Sequence, residues 1–83
     1  MKDSDNLHII LSKRAVKAIN SINNPDKTRI KEAIYKLPRG DVKKLKDFSP
    51  AYRLRVGDWR ILFDMSDTIE ITDILPRNSA YRK

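Results

Sequence analysis

The stretch that decides the fold is Tyr52-Arg53-Leu54-Arg55-Val56-Gly57-Asp58-Trp59-Arg60-Ile61-Leu62-Phe63. Tyr52, Leu54 and Val56 alternate with Arg53 and Arg55. Trp59, Ile61, Phe63 and Met65 alternate in the same way with Arg60, Leu62 and Asp64. Successive side chains of a strand point to opposite faces, so each half reads as a strand with one apolar face. Gly57-Asp58 between them suits a two-residue hairpin turn with Gly at its first central position. Counting outward from that turn sets the register. Val56 opposes Trp59, Arg55 opposes Arg60, Leu54 opposes Ile61 and Arg53 opposes Leu62. The apolar set is expected to pack under helices. The other face carries Arg55 and Arg60 directly opposed, with Arg53 one diagonal step away.

Upstream, Leu7 to Leu11 is a short apolar stretch with β-branched residues and reads as a strand. Ser12 is an N-cap for a helix in which Ala15, Ala18, Ile19 and Ile22 share one face. Asn23-Asn24 ends that helix, and Pro25 suits the first position of the next. Ile30, Ala33, Ile34 and Leu37 then repeat the amphipathic stripe, so the two helices form a hairpin. Pro38-Arg39-Gly40 stops the second helix. Val42 to Lys46 is a further strand candidate with an irregular pattern, since Val42 and Leu45 stand at an odd offset. After Met65, Ser66-Asp67 turns the chain and Thr68 to Leu75 reads as a last strand. The expected fold is α+β: an N-terminal strand, a helical hairpin, then three to four antiparallel strands in a sheet packed against the helices, and a short C-terminal segment.

The chain has 83 residues, and 18 Lys+Arg against 11 Asp+Glu give a formal charge of +7. That length predicts a single domain over 1–83, with the polar residues 1–6 as a loose terminus. The absence of Cys excludes disulfides, thiolate zinc sites and a Cys nucleophile. His8 is the sole His, which excludes a metal site needing two imidazoles. No metal and no cofactor is expected. No membrane span or signal-like stretch is evident, so a cytoplasmic protein with a polyanionic partner is expected.

Like charges at Arg55 and Arg60 cost stability, roughly 0.2–1 kcal/mol on the scale of cross-strand pairs. The plain explanation is that one face of an antiparallel sheet is solvated, where Arg is common. The functional explanation is an anion site, because guanidinium forks match phosphate oxygens bidentately. Lys36, Arg39, Lys43, Lys44 and Lys46 form a second basic group, opposed locally only by Asp41 and Asp47. It reads either as a solvated linker or as a patch for backbone phosphates. His8, beside Ile9 and Ile10, reads as structural, and Asp58 is explained by the turn. Asp64 is a candidate partner for a neighbouring cation.

These residues resemble a family. Leu37-Pro38-Arg39-Gly40-Asp41-Val42-Lys43-Lys44-Leu45, the hairpin above, and Ile74-Leu75-Pro76-Arg77-Asn78-Ser79-Ala80-Tyr81-Arg82 are together similar to the RelE/ParE toxin superfamily. The resemblance runs from Leu7 over nearly the whole chain. It implies the toxin of a type II toxin–antitoxin pair, and in RelE-like members a ribosome-dependent, metal-independent endoribonuclease. In that chemistry the RNA 2′-hydroxyl attacks the adjacent phosphorus, leaving a 2′,3′-cyclic phosphate and a free 5′-hydroxyl. The catalytic positions implied are Arg53, Arg55, Arg60, Arg77 and Tyr81, with Arg82 joining the phosphate-binding set. Two positions depart from the family pattern. Arg53 and Arg55 stand where Lys is frequent, and Pro76 stands where His often precedes the position of Arg77. A guanidinium with a pKa above ~12 is a poor proton acceptor, which leaves Tyr81 as base or as a stacking group. Arg60 is expected to meet the scissile phosphate most directly. The implied partners are an acidic antitoxin, the ribosome and mRNA. A ParE-like topoisomerase inhibitor and a catalytically silent RNA- or antitoxin-binding member are the alternatives.

Overall fold

Ser12 ties the two halves of the fold together. Its hydroxyl accepts the Ala15 N–H at 3.0 Å, capping the first helix, and donates to the Thr72 carbonyl at 2.8 Å near the other end of the chain. The structure is a computed structural model and describes residues 8–45 and 50–77. In chain order it contains β1 (His8–Leu11), α1 (Lys13–Ser21), α2 (Asp26–Tyr35), β2 (Val42–Lys44), β3 (Tyr52–Val56), β4 (Trp59–Met65) and β5 (Thr68–Pro76).

The helices form where the apolar stripes are. Ala15 and Ile19 are buried on α1, Ile30 and Ile34 on α2. Ile22 and Leu37 lie just past the helix ends and are still buried, each closing the last turn through its own N–H. Pro25 stands one position before α2 rather than inside it, at a φ of −84°. Its missing N–H costs nothing there.

The five strands form one sheet in the order β1-β5-β4-β3-β2. β2 to β5 are antiparallel neighbours, as expected, whereas β1 runs parallel to β5, pairing His8 with Thr68 and Leu11 with Ile71. The helical hairpin supplies the long crossover that a parallel pair needs. The Val42 to Lys46 candidate resolves into β2, ending at Lys44, with Val42 opposite Leu54 and Lys43 opposite Arg53. Lys46 falls outside the described residues.

The β3–β4 hairpin has the register counted from its turn: Val56 to Trp59, Arg55 to Arg60, Leu54 to Ile61, Arg53 to Leu62. Gly57 has a φ of +57°, a backbone conformation that the turn requires and Gly adopts at little cost. β5 is less regular. Its pairing with β4 shifts between Leu62 and Phe63, so Thr72 is an extra residue between Ile71 and Asp73. The bulge reverses the alternation, so Ile69, Ile71 and Ile74 are all buried despite their uneven spacing. The Thr72 hydroxyl donates to the Leu62 carbonyl at 3.1 Å, satisfying a group at the irregularity.

One apolar layer lies between sheet and helices. Ile30, Leu54, Ile61, Phe63, Ile69 and Ile71 are its fully buried large side chains, and Tyr52 stacks on Phe63 with ring centroids 5.4 Å apart. Losing one such side chain to Ala costs about 2–5 kcal/mol, comparable with the margin of a small domain. Consequently Arg53, Arg55 and Arg60 are left on the sheet face away from the helices. Among the described residues, no helix is long and apolar enough to cross a membrane.

Candidate phosphate-binding face

The alternation that buries Leu54 and Ile61 turns their neighbours outward. Arg55 stands opposite Arg60 in register, and Lys43, Arg53 and Leu62 form the adjacent row across β2, β3 and β4. Four cations therefore share the face of three neighbouring strands. Their environments differ. The Arg55 side chain is 54% exposed and that of Arg53 only 13%. Arg60 is 4% exposed and is the buried charged residue of the described chain.

Arg60 sits on the central strand, between Arg55 and Leu75. Its Nη1 turns back to the hairpin end, donating to the Trp59 carbonyl at 3.2 Å and the Gly57 carbonyl at 3.4 Å. Burial of a guanidinium is tolerable only with such acceptors. In this arrangement Arg55, rather than Arg60, presents the accessible guanidinium of the opposed pair.

A single carboxylate lies against two of these arginines. Asp41 Oδ1 is 3.9 Å from Arg53 Nη2, and Asp41 Oδ2 is 4.0 Å from Arg55 Nε. Asp41 stood out in the sequence only as a counter-charge to the neighbouring lysines. Its link to Arg53 and Arg55 arises because β2 pairs with β3, the pairing least legible in the pattern. Asp64 also faces this side and accepts the Ala51 N–H at 2.8 Å, fixing the entry to β3.

Arg77 lies beside the hairpin turn. Its N–H donates to the Asp58 carbonyl at 2.7 Å, so the exit of β5 is fastened to the hairpin turn. Pro76 pairs with Trp59, one step from the Arg55–Arg60 row. Trp59 in turn donates from Nε1 to Asp26 at 3.0 Å, anchoring the hairpin to the start of α2. No local pattern in the sequence signals that anchor, because Trp59 fits the apolar face of β4 and Asp26 lies 33 residues away.

Lys36 and Arg39 lie on the turn after α2, where the Arg39 N–H donates to the Lys36 carbonyl at 2.8 Å. Both are exposed, as are Lys43 and Lys44 on β2. Lys46, Asp47, Tyr81 and Arg82 lie outside the described residues. His8 lies on β1, the edge strand separated from the arginines of β3 by β5 and β4.

No protein-family model matches the chain, and no curated protein sequence matches it. Solved structures do. A chain in the crystal structure of the RelB-RelE antitoxin-toxin complex from Methanococcus jannaschii superimposes with a TM-score of 0.73 at 30% identity, covering 87% of this chain and 94% of that one. The archaeal RelE-RelB complex from Pyrococcus horikoshii OT3 gives 0.71 at 28% identity, covering 87% and 96%. The chain belongs to the RelE-like family of toxins.

Proposed function

We propose that this RelE-like toxin is a ribosome-dependent, metal-independent endoribonuclease that cleaves mRNA. The reading is supported chiefly by Arg55, exposed on the outer sheet face opposite the buried Arg60, with Arg53 and Lys43 in the next row. An RNA phosphodiester is the polyanion whose chemistry such a cluster serves. The 2′-oxygen loses its proton and bonds to the adjacent phosphorus, and the bond from phosphorus to the 5′-oxygen breaks. That oxygen takes up a proton. The products are a 2′,3′-cyclic phosphate and a free 5′-hydroxyl.

Charge accumulates on the non-bridging oxygens as the phosphorane forms. Fixed cations aimed at that charge are usually the largest catalytic term, and Arg53 and Arg55 are suited to it. Arg60, held by the carbonyls at the hairpin end, contributes positive potential from beneath and keeps the hairpin in register. Arg77, fastened beside the turn, supplies a further cation. None of these is a proton acceptor at ordinary pH. Tyr81, assigned by the family resemblance, takes the role of base or of a group that stacks on the RNA. In-line geometry is imposed by the ribosome, which holds the mRNA. Lys36 and Arg39 on the turn after α2, Lys43 and Lys44 on β2, and Lys46 and Arg82 in the sequence beyond them, bind backbone phosphates. The partner in the cell is an acidic antitoxin, in keeping with the antitoxin–toxin complexes formed by the structural relatives.

Mapping mRNA 5′ ends after a pulse of expression tests this. New 5′-hydroxyl ends within translated frames, absent for Arg55→Ala, are expected. Growth arrest with DNA-damage signalling and intact mRNA would replace the reading with a ParE-like topoisomerase inhibitor.

A further inference from the structure

Asp41 is fixed by its backbone, while its carboxylate stands at the surface. Its carbonyl accepts the Arg55 N–H at 3.0 Å, and the Val42 N–H donates to Gly40 at 2.9 Å. The preceding Gly40 has a φ of +113°, and a side chain there would meet Leu54 Cδ1 at 3.2 Å. The main chain at Asp41 is therefore pressed against β3. Its side chain is 59% exposed.

From that position one carboxylate reaches two guanidiniums, at 3.9 Å and 4.0 Å. These are ion-pair separations, longer than hydrogen bonds, so the arginine donors are attracted without being used. Arg53 Nε is buried and has no hydrogen-bond partner. Buried donors are nearly always satisfied, so Arg53 keeps a donor that Asp41 does not take up.

We infer that Asp41 is a resident stand-in for the RNA phosphate, holding Arg53 and Arg55 together in the free toxin and yielding both to an incoming phosphodiester. The inference rests on the RNA-cleaving reading above and makes Asp41 a positioning residue. A phosphate offers short, bidentate, charge-assisted hydrogen bonds that the carboxylate at its present distance does not make. Repulsion between the two anions favours rotation of the Asp41 side chain into solvent, while its backbone stays paired with β3. Asp41 thus offsets the crowding of like charges in the free protein and weakens RNA binding by competing for the same cations.

The test is equilibrium binding of a single-stranded 2′-O-methyl RNA, which lacks the attacking hydroxyl and stays intact. Asp41→Asn is expected to bind it about three- to tenfold more tightly at low salt, where charge effects are least screened. The plot of log affinity against log salt should steepen by about 0.7, one more cation being released to phosphate. Asp41→Glu keeps the charge and should stay near wild type. Asp67→Asn makes the same change in net charge at the turn joining β4 to β5, far from the hairpin turn, and should move affinity and slope less than half as much. Asp41→Ser carries the same expectation as Asp41→Asn if the latter folds poorly. Unchanged or weaker binding by both overturns the inference, as does an equal effect from Asp67→Asn. Wild type that cleaves mRNA while Asp41→Asn binds no tighter sinks the inference alone. Wild type with no salt-dependent RNA binding sinks it together with the nuclease reading.

Discussion

Arg55 and Arg60 face each other across the β3–β4 hairpin, one 54% exposed in its side chain and the other 4% exposed as a residue. Two like charges in one row thus occupy opposite environments, so substitutions at the two positions should have different consequences.

Arg55→Ala should leave unfolding free energy within about 0.5 kcal/mol of wild type, as for most surface substitutions. Cleavage on programmed ribosomes should fall about a hundredfold, the loss typical of one preorganised charge-stabilising group. Urea titration and single-turnover kinetics check the two halves separately.

Arg60→Ala should lower both. Removing a buried guanidinium bonded to the Gly57 and Trp59 carbonyls leaves those acceptors without it. Hydrogen bonds of charged groups contribute about 1.5–3 kcal/mol, and relief of repulsion with Arg55 returns part of that. The expected outcome is a lower denaturation midpoint with an unchanged slope, measured in urea.

Trp59→Phe keeps the ring in the apolar layer but removes the 3.0 Å hydrogen bond to Asp26. A loss of about 1 kcal/mol is expected. In a domain of this size that corresponds to a melting temperature lower by roughly 4–8 °C, read by circular dichroism.

Gly40→Ala should be costlier than its small volume suggests. The new methyl meets Leu54 Cδ1 at 3.2 Å, and the φ of +113° is unfavourable for any side chain. A destabilisation of about 1–3 kcal/mol is expected. The strain falls beside Asp41 and β2, so the RNA affinity should change with it.

Replacing the single 2′-hydroxyl at the cut site by hydrogen should abolish cleavage while ribosome binding persists, because the attacking oxygen is then missing. Cleavage that survives this change would point to an activated water as nucleophile.

The hairpin was readable in the sequence because its cause is local. Gly57-Asp58 sets the turn, strict alternation sets the faces, and together they place Arg55 opposite Arg60 before any tertiary contact is considered. The helix stripes at Ala15, Ile19, Ile30 and Ile34 are local in the same sense. β5 was readable only as a strand. Its face depends on the extra residue at Thr72, and no residue type there announces a bulge.

The site was legible as a set of residues but not as an arrangement. Arg53, Arg55 and Arg60 were singled out by alternation, and Arg77 and Tyr81 by family resemblance. The burial of Arg60 is not legible, because alternation assigns a face and not the depth at which a side chain lies on it. Nor is the bond from Arg77 to Asp58, which joins segments whose approach depends on β5 pairing along the whole of β4.

By itself, then, the sequence determined the two amphipathic helices, the hairpin register and which cations share its outer face. All of these follow from side-chain periodicity and turn chemistry within a few consecutive residues. Only the tertiary structure decided that β1 runs parallel beside β5, that Arg60 is buried while Arg55 is exposed, and that Asp41 stands between two guanidiniums. Those outcomes depend on strand order, and strand order is settled by how the whole apolar layer is covered at once.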